Sequence, residues 1–578
     1  MTHQFRRPRA LTAASLFLLT ISSSFAQTPQ SAKSSTLRSL LDHNFPRLVV
    51  VMTFDQMRAD MLSRFSDKFL PAYDSTGNVG GFRWLMENGA VMVDAHYNHL
   101  PLHTAPGHAT IMSGAAPRRT GITANSLYTS AGLSMNAVGD PDAKTIGGKT
   151  SKGGSSSPRN YLAETVGDEL KLANNNKSKV IGISIKDRGA ILPSGHNADA
   201  AVWMDMQTGK WVTSTWYTES ELPAFAQKAN DMGLADRWLG QKWDYLLPEE
   251  VYEISMPENE EGIDNNKDYP ASFPKQLSES GEPADAKYYK HLALSPFGNE
   301  YTFETAKLAV ESEDLGQDIY PDILAVSFSS TDKIGHQWGA HSREIQDCYY
   351  RTDRQMANFL SYLSGAVPGG LDSILFVMTG DHGSAALPEW LEKSRLDAGR
   401  NNSDDIVKRA EEAVSEIYPG KDVKGLIYYT DPYIRFKLPQ MMKLGINRDK
   451  AAAAVASKIQ NTPGVIGAYT RKQIETGQLP RTHEAQCITN GFNTERAGDV
   501  AIVGKPFWFN GRWATGSTHG SLYTYDTNVP LIFAGSKIKP GVYTDRVDIR
   551  DIAPTLSFFL GIMAPASSEG HILSDIIK

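Results

Sequence analysis

Three apolar stretches of the chain end in residues that could bind a metal ion. VVVMTF is followed by Asp55, ILAVSFSS by Asp332 and His336, and ILFVMTG by Asp381 and His382. A single aspartate after a strand is usually a turn or helix-cap residue. Three such aspartates, two of them with a nearby histidine, give the mixture of carboxylate and imidazole that Zn²⁺ accepts. The four-residue spacing from Asp332 to His336 allows both side chains to lie on one helical face.

A threonine and a further histidine extend this set. Thr104 lies in PLHTAPGHATIMSG, in a Pro/Gly turn at a predicted helix start, where its hydroxyl could be a helix cap or a nucleophile. A neutral hydroxyl is a weak nucleophile, but coordination to Zn²⁺ stabilises the alkoxide. His519 lies in the loop before VPLIFAG. Alone it would be a loop histidine that only forms hydrogen bonds, but together with the other ligands it becomes a candidate ligand.

The elements that must position these residues are predicted from apolar periodicity. Five nearly continuous apolar runs predict parallel strands buried on both faces: RLVVVMTF, KVIGISI, DILAVSFS, SILFVMT and VPLIFAG. Helical spacing of apolar residues occurs between or after them, in NYLAETVGDELKLA, YTFETAKLAVES, EIQDCYYRTDRQMANFLSYL and DIRDIAPTLSFFLGI. The predicted fold class is therefore α/β, a doubly wound, mostly parallel sheet flanked by helices. Because the carboxyl ends of parallel strands open onto one crevice, the candidate ligands should converge there.

The 578 residues, 41% of them hydrophobic, are sufficient for a large folded core. Residues 1–26 have a basic start, a short apolar run and a small-residue end, which predicts a secretory signal peptide and export to the periplasm or the medium. Arg6 and Arg7 leave twin-arginine export open as an alternative. Residues 27–45 are predicted as a polar tether and residues 46–578 as one catalytic domain. Two regions that break the strand–helix rhythm, at about 205–300 and 388–515, are predicted as inserted caps.

Composition also excludes some functions. The 58 Lys and Arg against 65 Asp and Glu give a net charge of -7, and loss of the three arginines of residues 1–26 gives -10. This mildly acidic balance argues against nucleic acid as a docking partner. No later apolar run is long enough to span a bilayer. The two cysteines, Cys348 and Cys487, exclude a disulfide scaffold and a four-cysteine zinc site but leave room for one disulfide.

Six sequence blocks carry a resemblance to a known family: FDQMRAD, HTAPGHATIMSG, SIKDRGAILPSGH, STDKIGH, GDHG and STHGSLYTYDTNVPLIF. Together they resemble the alkaline phosphatase superfamily, specifically its threonine-nucleophile bacterial alkaline phosphatases of the PafA type. Each block is weak alone, but the matching regions follow one another in the right order between residues 48 and 575. The resemblance implies an alkaline phosphatase-like fold and zinc-dependent hydrolysis of phosphate esters.

The resemblance also implies residue roles. It makes Thr104 the nucleophile, which would form a phosphothreonine intermediate, and it implies two Zn²⁺ per chain. The first zinc would be held by Asp55, Asp381, His382 and the Thr104 oxygen, and the second by Asp332, His336 and His519. Three residues match the phosphate-contacting groups of the family: Asn125, Lys186 and Arg188. Three further histidines in or near the matching blocks are expected to form supporting hydrogen bonds rather than to bind metal: His103, His108 and His196.

The expected function is an alkaline phosphatase that hydrolyses small-molecule phosphate monoesters and releases inorganic phosphate, for phosphate scavenging. The alternative is a phosphodiesterase or nucleotide pyrophosphatase, which resembles it in the zinc ligands, Thr104 and Asn125 but lacks the Lys186 and Arg188 pair. A sulfatase would need C/S-x-P-x-R, which neither DCYYR nor QCITN matches. A non-enzymatic zinc or phosphate binder is disfavoured because the nucleophile and all ligands are present. The sequence leaves the natural ester and the oligomeric state open, with a monomer favoured.

Overall fold

The structure is a computed structural model that describes residues 45–151, 153–264, 269–279, 281–511 and 514–578. Residues Phe45–Lys578 form one compact unit. The predicted signal peptide, and the predicted tether up to residue 44, lie outside the described residues. The predicted limits of the catalytic domain and of its two insertions stay predictions.

A large mixed sheet forms the centre of this unit. Its ten strands in the described part of the chain, β1 to β10 in chain order, are Leu48–Phe54, Gly89–Met92, Thr145–Ile146, Val180–Ser184, Ala200–Met204, Trp211–Ser214, Asp322–Phe328, Ile374–Gly380, Leu531–Gly535 and Gly541–Tyr543. They are arranged in the order β10-β2-β9-β8-β1-β7-β4-β5-β6-β3. The five central neighbours, from β8 to β5, are all parallel. The predicted mostly parallel α/β sheet is therefore confirmed.

One predicted strand runs in the opposite direction from the expected one. VPLIFAG forms β9, which pairs antiparallel with both β8 and β2. The first four residues of β9 are buried, like those of the parallel strands. A continuous apolar run indicates that a strand is buried on both faces, but it does not indicate the direction of the strand. The prediction of parallel pairing was therefore wrong for this strand.

Helices cover both faces of the sheet. Seven of them, which carry site residues or pack on the central strands, are labelled α1 to α7: Thr104–Ser113, Val166–Ala173, Asp187–Ser194, Pro296–Ser312, Ser330–Trp338, Arg343–Ala366 and Ile552–Leu560. Alternate residues of β1 belong to two different cores. The core on one face contains side chains of α4 and α6, and the other contains side chains of α1, α2 and α7. This double covering explains why the central strands are apolar on every residue.

One predicted helix begins later than expected. The stretch predicted from residue 160 becomes helical at Val166, because Thr165 and Asp168 form a capping box there. The Thr165 side chain accepts a hydrogen bond from the Asp168 N–H, and the Asp168 carboxylate accepts one from the Thr165 N–H. This reciprocal pair satisfies two N–H groups that a helix start leaves without partners.

Both irregular regions contain their own elements. Within residues 205–300 the structure has the helices Ala224–Asp231 and Ala286–Ala293 and the paired strands Lys242–Trp243 and Lys275–Gln276. Within residues 388–515 it has the strands Gly399–Asn402, Ile427–Thr430, Tyr433–Phe436, Val465–Thr470, Val500–Gly504 and Trp508–Gly511 and the helices Pro388–Lys393, Ser403–Ile417, Leu438–Leu444, Arg448–Ile459, Arg471–Glu475 and His483–Gly491. The second region has a separate hydrophobic core.

The remaining short elements connect these parts. They are the helices Asp60–Arg64, Phe82–Asn88, Pro117–Thr120 and Thr524–Thr527 and the strands Ala95–His96, Ser126–Tyr128, Ser134–Asn136, Gly139–Asp140, Ser155–Ser156 and Val547–Asp548. In the described part of the chain, every helix is too short or too polar to cross a membrane. Cys348 and Cys487 are both buried free thiols.

Candidate active site

The register of the central strands places Asp55 and Asp381, two of the candidate ligands, next to each other at the carboxyl edge of the sheet. Phe54, the last residue of β1, pairs with Phe328 of β7 and with Gly380 of β8. Asp55 and Asp381 therefore leave the sheet side by side, since each is the next residue of its strand. Asp332 lies in the first turn of α5, which begins two residues after β7 ends. The carboxyl edge of the sheet thus gathers all three aspartates, as predicted for parallel strands.

Asp55, Asp381 and His382 form the first of two ligand groups, with their ligand atoms within 4.8 Å of one another. His382 Nε2 lies 3.4 Å from Asp55 Oδ1 and 3.4 Å from Asp381 Oδ2. All three side chains are buried, and neither Asp55 oxygen nor Asp381 Oδ2 accepts a hydrogen bond of good geometry in the described structure. Buried carboxylates are costly unless a cation compensates their charge, and a cation near Asp55 in the described structure is the Lys186 ammonium, 2.6 Å from Oδ2.

The second ligand group contains Asp332 and His519, and it shares His382 with the first group. Asp332 Oδ1 lies 3.2 Å from His336 Nε2 and 3.8 Å from His519 Nε2. The ligand atoms that lie within 4.8 Å of one another belong to Asp332, His382 and His519. His382 joins this group because its ring stacks on that of His519, with centroids 3.5 Å apart. The structure thus brings all six predicted side-chain ligands together and places His382 between the two groups.

The three histidines of this site are oriented in the same way. Each donates its Nδ1–H to a backbone carbonyl oxygen: His382 to Gly383 at 2.9 Å, His336 to Ser517 at 2.7 Å and His519 to Leu102 at 2.9 Å. In the neutral rings these bonds leave the lone pair on Nε2, the arrangement found in metal-binding histidines. Burial alone would lower the pKa of His336, but the neighbouring Asp332 carboxylate outweighs burial and raises this pKa. Burial lowers the pKa of His382 to about 4 and, helped by the neighbouring histidines, lowers the pKa of His519 far below its ordinary value.

Lys186 connects the two groups. Its Nζ lies 2.6 Å from Asp55 Oδ2 and 2.5 Å from Asp332 Oδ2. Burial alone would raise the pKa of Asp332, but the Lys186 ammonium and His336 outweigh burial and hold this pKa well below its usual range. The ammonium therefore contacts one carboxylate of each predicted zinc site, in addition to the phosphate contact that the sequence predicts for it.

Thr104 lies beside the first ligand group and is not the cap residue of its helix. It is the first residue of α1, and His103, at the N-cap position, forms no capping hydrogen bond with its side chain. The Thr104 hydroxyl oxygen lies 3.4 Å from His382 Nε2. The start of α1 can approach the ligands because a Cβ atom at Gly107 would come within 2.2 Å of the Asp381 carbonyl oxygen. Only glycine permits this close approach.

Two of the predicted phosphate-contacting residues lie at the same edge. Asn125 Oδ1 accepts a hydrogen bond of 2.8 Å from the N–H of Ala105, next to Thr104, which leaves the amide nitrogen as its donor. Arg188 is the second residue of α3, directly after β4, and its Nε is buried without a hydrogen-bond partner among the described residues.

Two residues without a predicted metal role position the aspartates. Gln56 donates its backbone N–H to Asp381 Oδ1 at 3.0 Å and its side-chain amide to Asp332 Oδ1 at 3.1 Å, from a left-handed backbone conformation with φ of 67°. His108 Nδ1 lies 2.9 Å from the Thr104 carbonyl oxygen and 3.2 Å from Asp381 Oδ2. Sequence reasoning predicted hydrogen bonds for His108 but missed Gln56, whose only signal is its position directly after Asp55.

The other two histidines lie outside the ligand groups. His103 Nε2 lies 3.5 Å from Asp431 Oδ2, and its ring meets that of His519 edge-on. His196 Nε2 lies 3.0 Å from the Tyr161 carbonyl oxygen. Both therefore support neighbouring elements in the described structure.

Comparisons with known proteins show the family to which the chain belongs. The sequence profile of the family described as type I phosphodiesterase / nucleotide pyrophosphatase matches residues 49–522. The chain is 34% identical over 543 residues to a protein of Myroides odoratus named calcium-transporting ATPase, covering 92% of this chain and 95% of that one. It is 34% identical over 538 residues to alkaline phosphatase PhoV of Synechococcus elongatus, covering 92% and 93%.

A solved structure extends the similarity to three dimensions. The crystal structure of the alkaline phosphatase PafA matches with a TM-score of 0.83 at 31% identity, covering 92% of this chain and 99% of that chain. Sequence and fold thus agree over nearly the same length. The chain therefore belongs to the type I phosphodiesterase / nucleotide pyrophosphatase family of the alkaline phosphatase superfamily, together with the PafA-type alkaline phosphatases.

Proposed function

We propose that this phosphatase hydrolyses phosphate monoesters through a phosphothreonine intermediate at a site for two zinc ions. The observation that carries the proposal is the position of the Thr104 hydroxyl, 3.4 Å from His382 Nε2 and beside two groups of buried carboxylates and imidazoles. A nucleophile needs an activating neighbour, and this hydroxyl has metal-ligand residues as its neighbours.

The residues present fit zinc. Clustered buried carboxylates, together with imidazoles that have the lone pair on Nε2, are the donor set that Zn²⁺ accepts. One ion would be held by Asp55, Asp381 and His382 with the Thr104 oxygen, and the other by Asp332, His336 and His519. When bound, the two ions supply positive charge that stabilises the threonine alkoxide and the departing oxygen.

The protein groups then have separate tasks. The Thr104 hydroxyl loses its proton to solvent and its oxygen attacks phosphorus, the bond from phosphorus to the ester oxygen breaks, and this oxygen takes up a proton from solvent and leaves as the alcohol. A water molecule then attacks the phosphorus of phosphothreonine, which releases inorganic phosphate and restores the hydroxyl. The Asn125 amide, held by its bond to the Ala105 N–H, donates to a phosphoryl oxygen. Lys186 and Arg188 offer cationic donors to the remaining charged oxygens.

The cationic pair favours monoesters over diesters. A monoester dianion has one more charged oxygen than a diester, in which an alkoxy group replaces it. Donors such as Lys186 and Arg188 therefore interact more strongly with the monoester. Diester or nucleotide pyrophosphate hydrolysis is the second candidate, because the family description itself names these activities.

Relative rates test the proposal directly. We expect zinc-loaded protein to hydrolyse an aryl phosphate monoester much faster than the matching methyl aryl diester, and to leave the aryl sulfate intact. Acid quenching during turnover of a ³²P-labelled monoester should leave label on Thr104. Faster hydrolysis of the diester would make phosphodiesterase the function, and turnover without labelled Thr104 would indicate direct attack by water.

We also propose that the protein is exported and supplies phosphate outside the cytoplasm, because residues 1–26 have the pattern of a signal peptide. Fractionation and N-terminal sequencing test this. Mature protein that begins at Gln27 in the periplasm or the medium supports it, and a cytoplasmic protein that retains Met1 contradicts it.

A further inference from the structure

A cavity of about 280 Å³ opens directly over the candidate active site. Asn125, His336 and His519 line it on the side of the site. Most of the rest of its wall comes from residues 518–526 and from the second irregular region, and Leu100, His103 and Ala385 complete it. The volume is near the lower end of the range for small-molecule pockets, ~300–1,000 Å³. A phosphate ester bound at Thr104 therefore has room here for one small leaving group.

Much of the cavity wall is apolar and fixed. Trp508 lines it, and its indole N–H donates to Asp397 Oδ1 at 3.0 Å. The backbone at Gly464 packs against this indole so closely that a Cβ atom there would lie 2.2 Å from the ring. Tyr525, on another part of the wall, stacks on Phe507 with centroids 4.8 Å apart. Apolar and aromatic leaving groups can therefore be desolvated without rearrangement of this wall.

A carboxylate enters the same cavity. Asp431 lies between the strands Ile427–Thr430 and Tyr433–Phe436, and its side chain is 34% exposed. Asp431 Oδ1 accepts a hydrogen bond of 2.6 Å from the Tyr429 hydroxyl, a neutral donor. The lysine that lines the cavity, Lys505, is paired with Asp397 at 2.9 Å. Neither of these groups supplies a positive charge to Asp431, whose other neighbour is His103, with Nε2 3.5 Å from Asp431 Oδ2.

We propose that this cavity is the leaving-group subsite, that it takes uncharged alcohols with an apolar or aromatic face, and that Asp431 disfavours leaving groups that carry negative charge. This inference rests on the proposed function, because only a phosphate ester held at Thr104 would direct its alcohol into the cavity. Two like charges that share a partly desolvated cavity repel one another. Asp431 would thus be a specificity-determining residue supplied by the second irregular region.

Two aryl esters that differ in one charge test the proposal. The substrates are 4-carbamoylphenyl phosphate and 4-carboxyphenyl phosphate, which have the same phosphoryl group and nearly the same shape. The measured quantity is kcat/KM for the carboxy ester divided by kcat/KM for the carbamoyl ester. Comparison of each variant with wild type cancels the intrinsic reactivities. Assays at about pH 8.5, far above an ordinary carboxyl pKa of about 4, keep the carboxy ester fully ionised.

Asp431→Asn is the test variant because it keeps the side-chain shape and the acceptor for Tyr429. We expect it to raise the ratio about threefold to fivefold, the size of a partly exposed charge interaction. The matched control is Asp449→Asn, the same charge change at an exposed residue paired with Lys472 outside the cavity. The control should keep the wild-type ratio. An unchanged ratio in Asp431→Asn, or an equal rise in Asp449→Asn, would overturn the proposal.

Ionic strength gives a second test that needs only wild-type protein. Raising salt from about 0.02 M to about 0.5 M screens charge repulsion and should raise the same ratio. A ratio that stays constant in wild type would also overturn the proposal. Failure of the proposed function has a different signature, since the wild-type protein would then hydrolyse neither aryl monoester.

Discussion

We expect replacement of Arg188 by alanine to affect monoester hydrolysis much more than diester hydrolysis. Arg188 is the second residue of α3 beside the site, and its nearest carboxylate in the described structure is Asp187, with Arg188 Nη1 3.7 Å from Asp187 Oδ1. Its buried Nε has no hydrogen-bond partner in the described part of the chain. A phosphoryl oxygen that accepts from this N–H would satisfy a donor whose burial otherwise carries a cost. Arg188→Ala removes that donor and leaves every predicted zinc ligand unchanged.

The expected magnitude follows from the number of bonds lost. One charge-assisted hydrogen bond contributes about 1.5–3 kcal/mol, or roughly one to two decades in kcat/KM. We expect Arg188→Ala to lower kcat/KM for an aryl monoester by about 10- to 100-fold. The diester has an alkoxy group in place of one charged oxygen, so its kcat/KM should fall less than about threefold. Arg188→Lys keeps the charge without the forked geometry and should give an intermediate loss.

Steady-state kinetics on an aryl monoester and its methyl diester measure this difference. Arg237→Ala, at a surface arginine with a 56% exposed side chain, is the matched control and should change neither rate. Equal losses on the two esters in Arg188→Ala would refute the reasoning and would make Arg188 a structural residue.

Three further expectations concern the nucleophile, the metals and the pH dependence of stability. Thr104→Ala should lower kcat by about 10³-fold or more, because the covalent route disappears, and normal turnover by this variant would contradict the mechanism. Chelation should abolish activity, and two equivalents of Zn²⁺ per chain should restore it better than Mg²⁺; one tightly bound ion in metal analysis would rule out a two-zinc site. Burial, assisted by Arg58 and Arg64, lowers the pKa of His341 to about 3, whereas the unfolded chain has an ordinary histidine pKa of about 6.5. Between these values the unfolded state binds the additional proton, so stability should fall as pH drops from about 6.5 towards 3, by about 2 kcal/mol at pH 5. Denaturant unfolding at pH 8 and pH 5 measures this loss, which should be smaller in His341→Gln and would be identical in both proteins if the reasoning were wrong.

The strand-end aspartates could be predicted from sequence for a physical reason. Parallel strands must place their carboxyl ends at one edge, so a buried run followed by Asp55 and another followed by Asp381 are sufficient to infer proximity. The role of Thr104 came from the family resemblance, because its position at a helix start equally suggested a cap.

Other features depend on contacts that no local pattern contains. The predicted direction of β9 was wrong because parallel and antiparallel central strands are both buried on two faces. The left-handed conformation of Gln56 is imposed by tertiary bonds, since glutamine has no preference for positive φ. The Lys186 bridge and the stacking of His382 on His519 join residues from distant parts of the chain. Asp431 comes from a region whose sequence has no periodicity related to the site.

Asp55 and Asp381 follow paired residues of neighbouring strands, and this arrangement has a consequence for when the protein can bind metal. The predicted ligands extend along the chain from Asp55 to His519, and only sheet assembly brings these ends together. A newly made or translocating chain offers at most neighbouring pairs such as Asp381 and His382, which are too few donors to retain zinc tightly. Closure of such long loops comes late in folding. Metal loading is therefore expected after folding, from the metal supply of the compartment in which the chain finally folds.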